Sequence, residues 1–271
     1  MMSRSPARVA LVTGAARGIG AATVRALAAD GWAVLATDRC ADDPALAYRL
    51  GTRDDLDRVV AEAGASAGDP AAVRGLVADV RDEEQLTGAV GLAERAWGGL
   101  DAAVAAAGVI AGGVPLWQMP AGELDAVLDT DLRGVVNLAR AAIPALLRRP
   151  QPRQGRFLAV ASAAATRGLP MLAAYCAAKA GVAGLIRALA VELGGTGITA
   201  NAVSPGSTDT PILAESARLY GLRGATSFAA QQPVGRLLEP DEVAAALLWL
   251  AGEGSGAMTG AVIPVDGGLA L

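Results

Sequence analysis

Short apolar runs of strand length alternate along the chain with longer segments of helical periodicity. The short runs are almost continuously hydrophobic, which is typical of strands buried on both faces of a parallel sheet. Helices that connect such strands cover both faces of the sheet. The pattern therefore predicts an α/β fold, and the absence of a break in composition predicts one domain over residues 1–271. The predicted strands are 9–13, 32–37, 74–78, 100–105, 156–161, 199–203 and 261–265, and the predicted helices are 19–30, 83–97, 123–147, 174–193 and 241–250.

Two segments are longer than a minimal alternation of strands and helices requires. Residues 39–73 form a long crossover with a polar stretch at 48–56, and residues 207–236 follow Pro205 and Gly206. Loops at the ends of parallel strands are where α/β proteins place ligand lids, so both segments are candidates. For residues 39–73, a surface insertion without a function is an equally good interpretation.

Composition excludes several classes of function. With 53% hydrophobic and 18% charged residues, the chain resembles packed proteins and not disordered ones. A net charge of −4 without basic clusters argues against a nucleic-acid partner. The chain has no histidine, which excludes Ser-His-Asp and Cys-His mechanisms and histidine-bound metals. Cys40 and Cys176 are too few for a metal site or a disulfide framework, so no metal is expected.

The N-terminal segment superficially imitates a signal peptide. Arg4 and Arg8 precede a short apolar run, but that run is shorter than a typical signal core and is followed by Arg17. No stretch reaches about 18 uncharged apolar residues, the length that a spanning helix needs. The sequence predicts a soluble cytoplasmic protein without a membrane partner.

A glycine-rich turn joins the first predicted strand to the first predicted helix. Glycines in such a turn let the backbone approach a pyrophosphate at the positive end of the helix. Asp38 ends the second strand, where its carboxylate would accept hydrogen bonds from the adenosine ribose and repel a 2′-phosphate. The turn therefore predicts NAD in preference to NADP, although Arg17 or Arg39 could pair with a 2′-phosphate. The predicted phosphate-binding residues are Gly14, Arg17, Gly18, Ile19 and Gly20.

Ser162, Tyr175 and Lys179 form a candidate acid–base group. Tyr175 and Lys179 are four residues apart, which puts the phenol and the ammonium on one face of a helix. A tyrosine with a pKa of about 10 is a poor base at neutral pH, but a nearby ammonium and an oxidised nicotinamide both favour the phenolate. Ser162 could hold a substrate oxygen while a hydride moves between the substrate carbon and the nicotinamide.

These motifs make the sequence resemble the short-chain dehydrogenase/reductase family over essentially its whole length. The resemblance implies a seven-stranded doubly wound Rossmann fold, hydride transfer between NAD(P) and an alcohol or ketone, and a homotetramer. It also implies that Asp79 and Val80 flank the adenine and that Thr208 and Thr210 hold the nicotinamide end. Further cofactor contacts implied by position are Ala107, Gly108, Tyr175, Lys179, Pro205 and Gly206. The matching segments are residues 13–20, 79–80, 162, 175–179, 201–206 and 266–268.

The chain departs from the family pattern at two places. Residues 105–108 read Ala-Ala-Ala-Gly where the family has Asn-Asn-Ala-Gly, so the amide side chains that brace the central strands are missing. Asp131 stands where the family has an asparagine that holds a water beside the lysine. An aspartate can hold the same water, but its charge also stabilises Lys179 as a cation. We expect Asp131 to act in catalysis and to alter the pH profile.

The segment from Asp38 to Leu56 is similar to the extra segment of the mycofactocin-coupled branch of this family. That resemblance implies NAD that stays bound and passes its electrons to the peptide-derived carrier mycofactocin. Since the segment begins beside Asp38, it could fold over the adenosine and slow cofactor exit. Subunit contacts are the alternative role for it.

Three functions follow from these observations. The leading one is an alcohol dehydrogenase with tightly bound NAD that mycofactocin reoxidises. The alternatives are an ordinary carbonyl or 3-oxoacyl reductase with exchangeable NAD(P)H, and a non-catalytic dinucleotide sensor. The apolar residues of the second excursion predict a small hydrophobic alcohol or ketone as substrate, although they could equally pack the lid onto the body. The expected lid residues are Ile212, Leu213, Leu219, Tyr220, Leu222 and Phe228, with Trp117 and Met171 from other loops.

Overall fold

A seven-stranded parallel sheet forms the centre of the molecule. The computed structural model describes residues 8–271, so Arg4 of the leader-like segment lies outside the described residues. Within them the strand order is β3-β2-β1-β4-β5-β6-β7, and every neighbouring pair is parallel. This confirms the predicted doubly wound α/β fold. The strands are β1 (Val9–Thr13), β2 (Ala33–Asp38), β3 (Val73–Val77), β4 (Ala102–Ala105), β5 (Gly155–Val160), β6 (Ile198–Pro205) and β7 (Val262–Val265).

Helices cover both faces of the sheet. One face packs against α3, α5 and α6 through side chains such as Leu86, Leu138 and Ile186, and the other packs against α1, α2 and α8 through Leu27, Leu56 and similar residues. Small residues dominate both cores, as the low aromatic content of 3% requires. Over the described residues the α-helices are α1 (Gly18–Ala29), α2 (Arg53–Ala67), α3 (Glu83–Trp97), α4 (Ala121–Leu128), α5 (Gly134–Arg148), α6 (Ala173–Glu192), α7 (Pro211–Leu219) and α8 (Pro240–Ala251).

Three features of the helices differ from the sequence-based prediction. The predicted helix 123–147 is divided into α4 and α5 by a π-helical turn at Asp129–Arg133. Helix α2 occupies half of the supposed insertion 39–73 and is the ordinary crossover between β2 and β3. Helix α7 lies within the excursion 207–236. The true excursion after β2 is therefore residues 39–52, which we call the strap loop.

Helix α6 is long and apolar enough to span a membrane by length and composition. In the fold it is a core helix, because its residues Val182, Ile186 and Leu189 are buried against the sheet. The same helix carries Tyr175 and Lys179, so the packing of α6 fixes the position of both side chains.

The order of the strands determines where a ligand can bind. Strand order runs in opposite directions from β1 to β3 and from β4 to β7, so the connections after β1 and β4 lead away from each other. A crevice opens at such a switch point, at the carboxyl ends of the strands. The candidate site lies there.

Candidate active site

A cleft of about 680 Å³ lies at the carboxyl ends of β1, β4, β5 and β6. The structure brings nearly all residues that the sequence singled out into the wall of this one cleft. Among the predicted catalytic and cofactor-binding residues, Asp131 is the exception, because it lies behind the wall against Gly108 and Lys179. The predicted residues in the wall are Gly14, Arg17, Gly18, Ile19, Gly20, Asp38, Asp79, Val80, Ala107, Gly108, Ser162, Tyr175, Lys179, Pro205, Gly206, Thr208 and Thr210.

The glycine turn brings bare backbone to the bottom of the cleft. Gly14 has φ of 65°, and a Cβ there would lie 2.5 Å from the Cα of Ala107, so no larger residue fits. A Cβ on Gly20 would lie 2.1 Å from the carbonyl oxygen of Gly14. The Arg17 side chain does not cap α1, and the first turn of that helix holds no acidic residue. The N-terminal N–H groups of α1 therefore suit an anion such as a pyrophosphate.

Asp38 is held in place at the end of β2. Its Oδ2 accepts a hydrogen bond from the Ala16 amide, and its Oδ1 accepts one from the Cys40 amide, both at 3.1 Å. A carboxylate has about four acceptor positions, so ribose hydroxyls can still bind to it. The fixed negative charge fits a free 2′-hydroxyl and opposes a 2′-phosphate.

The two arginines that could have bound a 2′-phosphate have other partners. Arg39 pairs with Asp43 at 2.8 Å and with Asp79 at 3.3 Å. Arg17 donates to the carbonyl oxygen of Arg49 at 2.7 Å, and its guanidinium carbon lies 5.9 Å from the centre of the Tyr48 ring. Both side chains are therefore engaged with the strap loop or with nearby carboxylates.

Asp79 and Val80 follow β3 and lie beside the strap loop, where Arg39 pairs with Asp79. Burial raises the pKa of Asp79, but the hydrogen bonds and charge of Arg81 outweigh burial and leave that pKa below its ordinary value. The Val80 carbonyl oxygen accepts a hydrogen bond of 3.0 Å from Asn137 Nδ2. No local pattern indicated this hydrogen bond of Asn137, because it joins residues 57 positions apart.

Ser162, Tyr175 and Lys179 meet in the middle of the cleft. Ser162 accepts a 3.1 Å bond from the Ala164 amide, and its hydroxyl lies close enough to the Tyr175 phenol to lower the pKa of that phenol. Lys179 Nζ lies 5.5 Å from the centre of the Tyr175 ring and donates to the Val160 carbonyl oxygen at 3.1 Å. A phenol held in this way can exchange a proton with a substrate oxygen.

Asp131 is a partner of Lys179 and does not reach the cleft. Its Oδ2 lies 3.1 Å from Lys179 Nζ, and its Oδ1 accepts a 2.8 Å bond from the Val109 amide. The exposed fraction is 5% for the Lys179 side chain and zero for that of Asp131. By geometry, Asp131 is a positioning residue that acts through Lys179.

Burial and the Lys179–Asp131 pair have opposite effects on the tyrosine. Burial raises the pKa of Tyr175; the Lys179 charge lowers it, the Asp131 charge raises it, and the net direction is upward. Burial lowers the pKa of Lys179, but Asp131 and Tyr175 reverse this, so the lysine pKa lies above its ordinary value. Lys179 is therefore a cation whose charge Asp131 largely balances. This leaves Tyr175 with a higher pKa than Lys179 alone would give it.

The central strands are still linked at residues 105–107, although alanines stand where the family has asparagines. The Thr13 hydroxyl accepts hydrogen bonds from the Ala106 and Ala107 amides at 3.2 Å and 3.3 Å. Thr13 thereby links the ends of β1 and β4. The missing asparagine amides are replaced by this hydroxyl and by the close backbone contact between Gly14 and Ala107.

The strap loop reaches from the end of β2 to the backbone that follows β4. The Tyr48 hydroxyl accepts a 3.0 Å hydrogen bond from the Ile110 amide. Gly51 lies against Asp38, since a Cβ there would be 3.3 Å from Asp38 Oδ1. The adjacent amides of Val109 and Ile110 thus donate to Asp131 and to Tyr48, respectively. The sequence could not predict this hydrogen bond of Tyr48, because the residue lies in a polar stretch far from Ile110 along the chain.

The segment after β6 forms the wall opposite the strap loop. Gln232, buried at 2% exposure, accepts a 2.9 Å bond from the Ser207 amide and donates to the Ser207 carbonyl oxygen at 3.2 Å. The Thr210 hydroxyl caps α7 by accepting a 3.3 Å bond from the Leu213 amide. Leu219 packs over Gly113, and the structure does not place Trp117 or Met171 in the wall. The lid residues in the wall are Ile212, Leu213, Tyr220, Leu222 and Phe228.

Comparisons with known proteins extend over nearly the whole chain. A family model described as Enoyl-(Acyl carrier protein) reductase matches residues 14–270. The monensin polyketide synthase putative ketoacyl reductase of Streptomyces virginiae is 37% identical over 99% of both chains. The cis-4-hydroxycyclohexanecarboxylate dehydrogenase of Sinomonas cyclohexanicum is 38% identical over 96% of both chains. The crystal structure of carveol dehydrogenase from Mycobacterium avium in complex with NAD superposes with a TM-score of 0.89, at 32% identity and 98% coverage of both chains.

Proposed function

The chain belongs to the short-chain dehydrogenase/reductase family, oxidoreductases that act on CH–OH groups, and on that premise we propose that it interconverts a hydrophobic secondary alcohol and its ketone with NAD. The observation that carries the proposal is the meeting of Ser162, Tyr175 and Lys179 in a cleft whose outer wall is apolar. The relatives named as dehydrogenases of a hydroxycyclohexanecarboxylate and of carveol support a cyclic secondary alcohol.

In the proposed reaction the side chains move one proton. When bound, NAD supplies the nicotinamide that takes up or returns the hydride. During oxidation, Ser162 hydrogen-bonds the carbinol oxygen and the Tyr175 phenolate removes its proton. In the reverse direction the Tyr175 phenol returns that proton to the carbonyl oxygen. The cation of Lys179, 5.5 Å from the ring, stabilises the phenolate form.

The choice of NAD is supported by the surroundings of Asp38. Its carboxylate faces the cleft, while Arg39 is neutralised by Asp43 and Asp79. A 2′-phosphate would meet an aspartate without an unpaired arginine at β2 to balance it. The fit of the cleft to a dinucleotide also rests on the N-terminus of α1, which has N–H donors and no side-chain cap.

We propose further that NAD stays bound between turnovers. The strap loop crosses the adenosine end and is attached at Tyr48 to Ile110 and at Arg49 to Arg17. Cofactor exit requires these contacts to open, which slows dissociation. A cofactor that does not leave has to be reoxidised in place, and mycofactocin is the proposed external acceptor.

The retained nucleotide is the first quantity to measure. The purified protein is extensively desalted and denatured, and the released nucleotide is identified by chromatography and mass spectrometry. We expect NAD close to one equivalent per chain, and turnover of secondary alcohols with an artificial electron acceptor. Reoxidation by purified mycofactocin then tests the carrier. Release of NADP would contradict the role given to Asp38.

A second candidate is an ordinary 3-oxoacyl reductase with exchangeable cofactor. It is favoured by the matching family model and by the relative named as a ketoacyl reductase. This candidate requires a protein that loses its nucleotide on desalting and reduces 3-oxoacyl thioesters with added NADH or NADPH. The two assays on one preparation separate the candidates.

We propose a homotetramer for the assembly. Apolar side chains lie exposed on three helices: Leu147 on α5, Val191 on α6 and Trp249 on α8, with exposures of 37%, 82% and 52%. Subunit contacts would remove these side chains from water. Light scattering after size exclusion tests the mass, for which a chain of 27.0 kDa predicts about four times that value.

A further inference from the structure

The two ends of the cleft differ in charge. The adenosine end is lined by the carboxylates of Asp38 and Asp79 together with Arg39, which pairs with Asp79. At the substrate end, beyond Ser162 and Tyr175, the described lining residues include one cation, Arg167, and no acidic residue. The remaining wall there is largely apolar. It includes Leu169, Leu172, Ile212, Tyr220, Leu222 and Phe228.

The backbone of Arg167 is tied to both parts of the catalytic group. Its amide donates to the Ala163 carbonyl oxygen at 3.0 Å, which closes the short turn that begins at Ser162. Its carbonyl oxygen accepts a weak bond from Cys176 Sγ at 3.8 Å, next to Tyr175. The start of the Arg167 side chain is therefore fixed relative to the residues that would hold the carbinol oxygen.

The guanidinium of Arg167 has donors to spare. Nη1 donates to the carbonyl oxygen of Leu269, which also lines the cleft. Among residues 8–271 no carboxylate lies within the 4.0 Å of an ion pair with Arg167. By contrast, Arg218 on the lid pairs with Glu215 at 2.6 Å. A guanidinium has five N–H donors in a planar fork, so Nε and Nη2 remain available for a bidentate acceptor.

We propose that the substrate carries a carboxylate on an apolar body and that Arg167 binds this carboxylate. The proposal rests on the proposed alcohol dehydrogenase activity and specifies its substrate class. The Ser162 end fixes the carbinol, the apolar wall covers the body, and Arg167 fixes the opposite end. Two fixed ends would orient the carbinol hydrogen toward the nicotinamide.

The charges of the cleft favour a carboxylate over a phosphate ester. One guanidinium matches one negative charge, whereas a phosphate ester carries nearly two at neutral pH. The other cations lining the cleft are Arg17, Arg39 and Lys179. Arg39 and Lys179 are neutralised by aspartates, and Arg17 lies at the start of α1 near the pyrophosphate position.

The test compares hydroxy acids with their neutral methyl esters on the NAD-loaded protein. Three pairs cover ring, aryl and linear bodies: 4-hydroxycyclohexanecarboxylate, 4-(1-hydroxyethyl)benzoate and 3-hydroxybutanoate, each with its ester. We expect kcat/KM to be about 10- to 100-fold higher for at least one acid than for its ester, mainly through KM. This preference should fall as salt is raised, since Arg167 is solvent-exposed.

Variants separate binding of the carboxylate from a structural tie to Leu269. In Arg167→Gln the preference for the acid should disappear, with kcat/KM for the ester within about threefold of wild type. Arg167→Lys keeps the charge without the fork and should retain part of the preference. Arg95→Gln removes the same charge at an exposed position of α3 away from the cleft, and it should change kcat/KM for neither the acid nor the ester. Equal losses for acid and ester in Arg167→Gln would assign Arg167 a structural role only and overturn the proposal.

Calorimetric binding of the acids keeps the two proposals distinguishable. Turnover of the esters without any preference for the acids would overturn the inference and leave the alcohol dehydrogenase activity standing. Binding of an acid that depends on Arg167, without turnover of any alcohol, would support the carboxylate site and contradict the proposed reaction. Neither binding nor turnover of any pair would overturn both.

Discussion

Lys179 Nζ and Asp131 Oδ2 lie 3.1 Å apart, both side chains are buried, and Lys179 Nζ is 5.5 Å from the centre of the Tyr175 ring. An ion pair at this place removes much of the positive field that would otherwise stabilise a tyrosinate. Tyr175, the proposed acid–base residue, thus lies beside a lysine whose positive charge Asp131 largely balances.

Asp131→Asn should shift the pH profile of alcohol oxidation to lower pH. Oxidation requires the Tyr175 phenolate, and the negative charge of Asp131 raises the pKa of Tyr175. Without that charge the acid limb of kcat/KM against pH should move to lower pH. Ketone reduction, which requires the phenol, should lose rate at high pH in the same variant. The matched control is Asp129→Asn in the same π-helical turn, whose exposed side chain pairs with Arg133. An unchanged rate and pH optimum in Asp131→Asn would deny Asp131 a part in catalysis.

Tyr175→Phe should abolish most turnover while retaining NAD. The Tyr175 phenol lies in the cleft wall with Ser162 and Lys179, where the proposed reaction exchanges the carbinol proton. Loss of a general acid–base group lowers kcat by about 10²- to 10⁴-fold. Full turnover in this variant would refute the catalytic role, and bound NAD without turnover in the wild type would favour a dinucleotide sensor.

Asp38→Asn should move cofactor preference toward NADP. The variant keeps an acceptor oxygen for a backbone amide but removes the charge that repels a 2′-phosphate. We expect the ratio of NAD to NADP affinity to fall by about 10-fold, measured by calorimetry on nucleotide-free protein. Asp57→Asn, at an exposed pair with Arg53 on α2, is the charge-matched control. An unchanged ratio would mean that Asp38 does not face the ribose.

Tyr48→Phe should speed the release of NAD. Phenylalanine fills the same space but cannot accept the 3.0 Å hydrogen bond from the Ile110 amide. Loss of about 1 kcal/mol from the closed strap loop corresponds to a roughly fivefold faster dissociation. The rate can be followed by exchange of bound NAD for isotopically labelled NAD. Arg49→Ala serves as the control in the same loop, because the backbone carbonyl that contacts Arg17 is kept and the side chain, 93% exposed, makes only a 3.7 Å surface ion pair with Asp42. Equal rates of NAD dissociation in wild type and Tyr48→Phe would show that this contact of the strap loop does not retain the cofactor.

Arg156→Met should destabilise the fold without touching the cleft. Arg156 is 2% exposed and donates to the Gly252 carbonyl oxygen at 3.0 Å and 3.3 Å, at the end of α8. Methionine fills the space but removes both guanidinium bonds, which leaves the Ser255 hydroxyl, at 3.0 Å, as the side-chain donor to that carbonyl at the negative end of the helix. We expect the free energy of unfolding in urea to fall by about 2 kcal/mol. A change below about 0.5 kcal/mol would show that water replaces the guanidinium.

Local sequence patterns were sufficient to predict the strands of the sheet and the candidate groups that lie together on one helix or one turn. The apolar runs predicted all the strands of the described chain within a few residues, because strands buried on both faces have almost no polar positions. The glycine turn and the pair Tyr175 and Lys179 each lie within a few residues of sequence. Their spacing alone therefore indicated their geometry.

The features that the sequence did not predict are a polar helix and several contacts between residues far apart in the chain. Helix α2 has few apolar residues, and only the capping box of Thr52 and Asp55 marks its start. Tyr48 acts through Ile110, 62 residues away, and Gln232 through Ser207, 25 residues away. The π-helical turn at Asp129–Arg133 is also a product of packing, since the periodicity of 123–147 continues through it.

The contact between Gly14 and Ala107 has a consequence for how this enzyme can diversify. Because a Cβ on Gly14 would lie 2.5 Å from the Ala107 backbone, the floor of the cleft is main chain and offers no side chain to exchange. Point mutations cannot reshape that floor without displacing the strands. New specificity has to arise in the strap loop, the turn after Ser162 and the lid, where side chains change without disturbing the sheet. The hydride chemistry and the choice of substrate can therefore evolve separately.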